Sequence, residues 1–380
     1  MNTMKEKTET NEKSFDPKDI IPEEAEEVEP TFPPCKHLHS RYLDDKYILD
    51  ISATSGTHPF IAAALSDIST DVFTLTDNEL VKISQLREHK QQIVNCKFSL
   101  SNQNLLYTTS NDGTVKLWDL RDPKSAAATF KDTTLDENSQ PKSLNSFDVS
   151  PCDRLLAAGT ELTAGDAFIL FWDVRNVKLL GGYWQSHTDD ISQVQFHPTD
   201  SNKLMSGSTD GLINVYDLSE QNEDDALQEC LNTEAFVDSL LWFEEENKWR
   251  ISCITTENVL QLWDLDGAKP YKSITRKQIA ERIQKPYTSQ EDTYIVKCHT
   301  ISGFLLVLCS YWKNASESVP LRSLIISNDK VLPSWAFMGN KQRIRASHAN
   351  EHTNLFITGG EKGQLDVWKL DLSQINLTPI

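Results

Sequence analysis

No apolar run in the 380-residue sequence is long enough to cross a bilayer: runs such as Phe304 to Cys309 fall far short of the roughly 20 residues a spanning helix needs. The N-terminus opens on charged and polar residues without an apolar leader, which predicts an intracellular protein of the cytoplasm or nucleus, with no membrane partner. Positive charge is also scarce. Against 56 Asp and Glu stand 37 Lys and Arg, a formal net charge of −19, which argues against nucleic acid as a partner because phosphates call for clustered cations. Seven cysteines, an odd number at irregular spacing, do not form a disulfide framework and suit a reducing compartment. No G-x-S-x-G elbow, phosphate loop or dinucleotide fingerprint occurs, so neither an enzyme nor a cofactor is expected.

What is present divides in two. Residues 1–34 carry ten acidic and four basic side chains with several prolines, too little apolar surface to offset the entropy of ordering, and read as a disordered acidic tail. From about Tyr47 onward, short runs rich in Val, Ile, Leu, Phe and Trp alternate with clusters of Asn, Asp, Gly and Ser, an all-β texture. One exception is Ile274 to Lys285, where Ile279 and Ile283 sit four apart and predict a short helix.

Self-similarity is the strongest signal. The run Ser110-Asn-Asp112-Gly113-Thr-Val-Lys-Leu-Trp118-Asp119 aligns without gaps to Ser208-Thr-Asp210-Gly211-Leu-Ile-Asn-Val-Tyr216-Asp217, and His89 and His187 precede them at the same distance. Weaker copies end at Trp172-Asp173, Trp263-Asp264 and Val367-Trp368, and an eroded first copy ends near Phe73. From Phe73 to Trp263 the aromatic positions recur every 44 to 54 residues, and the 105 residues between Trp263 and Trp368 leave room for one further unit, Thr293 to Phe337. The total is seven. Each Asp-Gly pair between apolar runs is a hairpin signal, here expected to form a two-residue primed turn.

This motif resembles the WD40 repeat, and the resemblance implies a seven-bladed β-propeller over residues 35–372, followed by a short tail, 373–380. It further implies that a strand near residues 37–43 closes the ring by completing the last blade, which removes an exposed edge. In the family a buried Trp donates its indole N–H into a chain of Ser or Thr, His and Asp; the matching residues are Trp118, Ser110, His89 and Asp112, and, in the fourth blade, Tyr216, Ser208, His187 and Asp210. The other blades lack most of this set and are expected to rest on packing. The stretch His187 to Pro198, with Ala158-Gly-Thr-Glu161 and Thr358-Gly-Gly-Glu361, is similar to the family of WD repeat-containing protein 89.

Candidate chemistry is thin. Cys35-x-His37-x-His39 has metal-ligating residue types but no second ligand pair, and the His348 and His352 pair lacks the Glu of a zinc hydrolase motif, so no metal is expected. Acidic runs such as Asp44-Asp45, Asp189-Asp190, Glu223 to Asp225 and Glu244 to Glu246 fall in loops, where they serve either as solvated surface or as attraction for a basic peptide. Trp118-Asp-Leu-Arg121 and Trp172-Asp-Val-Arg175 place an Arg two residues after W-D in consecutive units. This resembles the motif by which propeller substrate receptors of cullin-RING ubiquitin ligases contact the ligase adaptor. The expected function is a monomeric, non-catalytic protein-interaction scaffold working within complexes. Its alternatives are a ligase substrate receptor, through Arg121 and Arg175, and an escort of basic proteins.

Overall fold

A computed structural model describes residues 32–76, 79–134, 141–284, 289–312, 319–327 and 330–374. The acidic tail over residues 1–31, Lys285 and residues 375–380 lie outside the described residues. Seven four-stranded antiparallel sheets follow one another around a ring. Six are continuous in sequence, over residues 48–86, 93–131, 144–183, 191–232, 237–274 and 293–337. The seventh joins residues 344–369 to a strand from the start of the chain, Lys36–Tyr42, which pairs antiparallel with Gln364–Lys369. All-β architecture and the seven-bladed count are as the repeat implied, and the motif-free unit is blade 6, Thr293 to Phe337.

Side chains point alternately to the two faces of each sheet, and because the blades stand face to face the middle strands are buried on both. Ala157, Ile169 and Phe171 of blade 3, for instance, form one buried cluster with Ile191, Val194, Phe196 and Leu204 of blade 4. The first strand of each blade lines the central channel and has no sheet neighbour on that side, so backbone groups there need other partners. Side chains of one first strand supply them to the next. Asp50 accepts from the Cys96 N–H at 2.9 Å, Ser52 from Phe98 at 3.1 Å, and Asp148 from Phe196 at 2.8 Å. The Gln193 side chain bridges both the N–H and the C=O of Leu240. These bonds stitch blades 1–2, 3–4 and 4–5 along their innermost strands.

The seam between chain ends begins earlier than expected. Residues 32–34, read from composition as the end of the tail, pack against blade 6: Ala336 donates to the Pro33 carbonyl at 2.9 Å, Cys35 donates to the Ala336 carbonyl at 2.8 Å, and the Arg322 guanidinium lies 4.7 Å from the Phe32 ring centre. Apolar Phe32 and the rigid Pro33-Pro34 pair give this short segment a contact that a net-charge reading overlooks. The helix Arg276–Ile283 forms in the connection between blades 5 and 6, with a Thr275–Gln278 capping box at its start and Ile279 and Ile283 buried under it.

Candidate functional site

The connections between blades and the turns joining second to third strands lie on one face, here the upper face; the remaining turns lie on the lower face. The two repeat motifs sit on the upper side of blades 2 and 4. His89 Nδ1 meets Asp112 at 3.0 Å and its Nε2 meets Thr108 Oγ1 at 2.8 Å, while the Trp118 indole donates to the same hydroxyl at 2.9 Å. In blade 4, His187 meets Asp210 at 3.0 Å and Ser206 at 2.7 Å, and Ser206 meets the Tyr216 hydroxyl at 3.3 Å. Both histidine side chains are almost fully buried.

Ser110 and Ser208 are therefore not members of these chains, contrary to the sequence expectation. In the antiparallel register Trp118 faces Leu106 and Tyr216 faces Leu204. Thr108 and Ser206 are the next residues on the same side, whereas Ser110 and Ser208 lie four residues along, about 13 Å, beyond the ring's reach. Each instead donates its hydroxyl across the turn, Ser110 to the Gln91 carbonyl and Ser208 to the Asp189 carbonyl. The hairpins also differ from the two-residue primed turn expected. Gly113 and Gly211 have φ of 80° and 87°, their N–H groups bond to Ser110 and Ser208, and Asp112 and Asp210 are not among the positive-φ residues, a three-residue loop closing on a left-handed glycine. That geometry frees each Asp side chain. Burial pushes the Asp112 carboxyl up, but hydrogen bonds from His89, Thr114 and the Lys90 N–H outweigh it and hold it at about 2.

Blades 3, 5 and 7 do not rest on packing alone. Trp368 donates to Thr358 at 2.9 Å, Trp172 to the Lys131 carbonyl at 3.0 Å, and Trp263 to Gln261 at 3.1 Å. His37, at the seam, stacks edge-on against Trp368 and meets the buried Asp366 at 3.0 Å, and Cys35 Sγ donates to the Lys369 carbonyl. The Cys35 and His37 side chains thus serve the seam, His39 is paired there with Val367 in the strand register, and among the described residues no three His, Cys, Asp or Glu side chains converge on a common point.

The central channel encloses a cavity of about 340 Å3. Lys97 pairs with Asp148 and Lys297 lies 3.9 Å from Asp50, while Glu351 adds a third carboxylate to the lining. His299 donates to or accepts from Ser347 at 2.8 Å, and burial, with Lys297 beside it, holds it neutral. His348 is likewise held down, to about 4, by burial and by Lys297 and Lys97. Both of its cations thus lie beside carboxylates, and both of its histidines are held neutral.

Arg121 and Arg175 occupy the same lower-face turn of blades 2 and 3, and both are exposed. Their surroundings differ. Arg121 Nε and Nη2 grip Asp119 at 2.5–3.1 Å, whereas Asp173 is held by the Asn176 side chain at 2.8 Å and touches Arg175 only through the backbone N–H.

Of the acidic runs that the sequence offers as attraction for a basic peptide, Asp189-Asp190 lies on the upper face, whereas Glu223 to Asp225 and Glu244 to Glu246 belong to the third-to-fourth-strand connection of blade 4 and the first-to-second-strand turn of blade 5; the lone acids that join Asp189-Asp190 are not singled out by the sequence. The rim loops of blades 3–5, residues 161–168, 184–190, 209–211, 233–238 and 256–259, contain no Lys or Arg. Glu161, Asp166, Asp189, Asp190, Glu234 and Glu257 line them. Among these carboxylates stand Leu162 and Phe236, 43% and 58% exposed. The loops touch in series: Leu162 N–H donates to Asp190, Thr209 N–H to the Asp190 carbonyl, Thr233 N–H to the Gly211 carbonyl, and Thr256 N–H to the Phe236 carbonyl. Across the ring, Lys341, Arg343, Arg345 and Lys362 cluster around Glu361, with Arg343 over the Tyr294 ring. The upper face is polarised, acidic over blades 3–5 and cationic near blade 7.

Residues 69–245 match the family model described as Nucleolar protein 10-like, N-terminal domain. The chain is 29% identical to WD repeat-containing protein 89 homolog of Dictyostelium discoideum, over 67% of this chain and 64% of that protein. It is 28% identical to WD repeat-containing protein GTS1 of Arabidopsis thaliana, over 56% of this chain and 51% of that one. It is 23% identical to Histone acetyltransferase type B subunit 2 of Debaryomyces hansenii, over 52% of this chain and 50% of that one. The chain thus spans less than two thirds of the length of each of these relatives. With its seven four-stranded blades and its repeated Asp-Gly and Trp-Asp positions, the chain folds as a seven-bladed β-propeller and is similar to WD-repeat proteins.

Proposed function

We propose that this propeller is a non-catalytic platform that holds a basic segment of a partner protein on the upper rim of blades 3–5. The observation that carries the reading is the run of touching loops there with eight acidic residues, no Lys or Arg, and the exposed anchors Leu162 and Phe236. Exposed apolar side chains rimmed by charge of one sign are what a complementary segment needs: the apolar groups supply affinity, and the charges supply steering and discrimination. The net charge of −19 extends the same field beyond the rim. One relative is by its name a histone acetyltransferase subunit, which makes basic chromatin proteins a sensible first class to test. Quantitative affinity purification tests it, comparing the wild-type chain with a rim variant carrying Asp166→Asn, Asp189→Asn, Glu234→Gln and Glu257→Gln. The expected outcome is selective loss of Lys- and Arg-rich partners from the variant; an unchanged partner set rejects the reading.

A second reading, substrate receptor of a cullin-RING ligase, is favoured by the exposure of Arg121 and Arg175 at equivalent turns of consecutive blades, on the face opposite the acidic rim. An adaptor could then occupy one face while a substrate occupies the other. Because Arg121 is committed to Asp119 and Arg175 is not held by Asp173, Arg175→Ala is expected to weaken adaptor recovery more than Arg121→Ala. Equal recovery with the double variant and the wild type excludes this role.

A further inference from the structure

We propose that the outer edge of blade 3 is a second docking surface, at which an extended segment of a partner adds a strand beside Lys178–Tyr183 with apolar side chains in the adjoining groove and flanking Lys or Arg at its lip. The inference does not rest on the upper-rim reading: residues 184–186 border both regions, but the mode of contact and the acidic groups invoked are different.

Lys178–Tyr183 is the last strand of its sheet, so its outer side has no strand partner and presents unpaired backbone N–H and C=O groups. Its pairing slips by one residue, Phe171 facing Gly181 and Trp172 facing Leu179, which turns Leu180 outward, 54% exposed. Apolar exposure concentrates at this edge. Val177, Leu180 and Trp184, at 41%, 54% and 52%, flank or belong to the one strand. Val177 also holds a φ of 51°, a conformation a β-branched residue rarely adopts, which keeps its side chain at the strand's entry. Glycine clears the approach: a Cβ at Gly181 would meet no atom within 4 Å.

Beside the strand runs a groove of about 260 Å3 whose floor is Phe171 and Tyr183 and whose far wall is Leu218 of blade 4. Phe171 and Tyr183 pack edge to face with ring centres 4.9 Å apart, a preformed apolar floor. The lip is the segment following Leu218, in which Glu220, Asp224 and Asp225 are exposed and no Lys or Arg occurs from Asp217 to Ala226. That lip is fixed in place, since the Glu223 carboxylate accepts from the Trp184, Gln185 and Ser186 N–H groups, each at 2.9 Å. An unpaired edge supplies affinity through main-chain bonds, an apolar groove selects alternate side chains, and an acidic lip selects the flanking charge. The occupant that satisfies all three is an extended segment of alternating apolar residues bounded by Lys or Arg.

The test uses the full chain and a fluorescein-labelled peptide, Arg-Lys-Val-Thr-Leu-Thr-Val-Lys-Arg. Two comparison peptides go with it, one flanked by Glu in place of the basic residues and one N-methylated at alternate amides. Binding is read by anisotropy, and its location by hydrogen exchange of the amides over residues 178–183. The expected result is saturable binding with slowed exchange over 178–183, weakened at least about tenfold by N-methylation or by Glu flanks, because both strand pairing and lip charge contribute. Leu180→Asp weakens it similarly, while the upper-rim variant leaves it unchanged. Because Leu180 is exposed, the substitution is compatible with folding; should it unfold the chain, the N-methylated peptide on wild type decides alone. Absence of saturable binding, equal binding of the N-methylated peptide, or protection over the upper rim in place of 178–183 overturns the proposal.

Discussion

Blades 4 and 6 are built from the same four-strand plan and hold together by different means. In blade 4 a buried chain runs from Asp210 through His187 and Ser206 to Tyr216, every link between 2.7 and 3.3 Å. Among the described residues of blade 6 no chain of His, Asp and hydroxyl leads to its Trp335. Its strands are longer, up to the nine residues of Thr293–Ile301, and its interior is aliphatic, with Leu305, Val307, Leu324 and Ile326 buried and the Trp335 indole N–H without a hydrogen-bond partner among the described residues. The difference shows that a fold can repeat while the interactions that specify it are exchanged, directional polar links in one blade and added apolar area in another.

The largest effect is expected from removing that added area. Leu324→Ala in blade 6 should cost about 3 kcal/mol, measured by chemical denaturation, since a close-packed aliphatic interior refills a void only partly. His187→Ala should cost roughly 2 kcal/mol, because it leaves Asp210 and Ser206 buried with lost partners, and a double-mutant cycle with Asp210→Ala should show coupling of about 1 kcal/mol or more. If the two substitutions prove additive, the chain of bonds is not the unit that holds blade 4. A finer contrast uses one substitution in two places. Trp118→Phe forfeits the bond to Thr108, whereas Trp335→Phe forfeits none, so the first should exceed the second by about 1 kcal/mol.

The two designs also separate along the pH axis. Asp112 is held at about 2, below an ordinary carboxylate near 3.9, so its contribution is complete above about pH 4 and is lost as pH falls toward 2. His299 is held neutral below the ordinary histidine value near 6.5, so the unfolded chain takes up protons first and stability falls as pH drops from about 7. Asp112→Asn should therefore flatten the lower part of the stability profile and His299→Gln the upper part. Interchange of those two windows would show that other groups govern the profile.

Sequence reading reached the number of blades and the extent of blade 6 because Trp, Asp-Gly and the apolar runs are local signals repeated at a near-constant interval. It missed the chain members Thr108 and Ser206 because a shift of two residues between paired strands keeps the same face, and only register distinguishes them. It placed residues 32–34 in the tail because composition weighs charge over a window and not the contact of one Phe with one Arg. The acidic rim was legible only at Asp189-Asp190. Leu162, Glu234 and Glu257 are scattered over nearly a hundred residues and come beside it only when blades 3–5 stack in series.

The most direct measurement is the affinity of a Lys- and Arg-rich peptide for the wild-type chain and for the Asp166→Asn, Asp189→Asn, Glu234→Gln, Glu257→Gln variant, across about 0.05 to 0.3 M salt. Tighter wild-type binding, by about tenfold at the lowest salt and shrinking as salt rises, is what an acidic docking rim requires. Equal affinities for the two proteins at every salt concentration would contradict it.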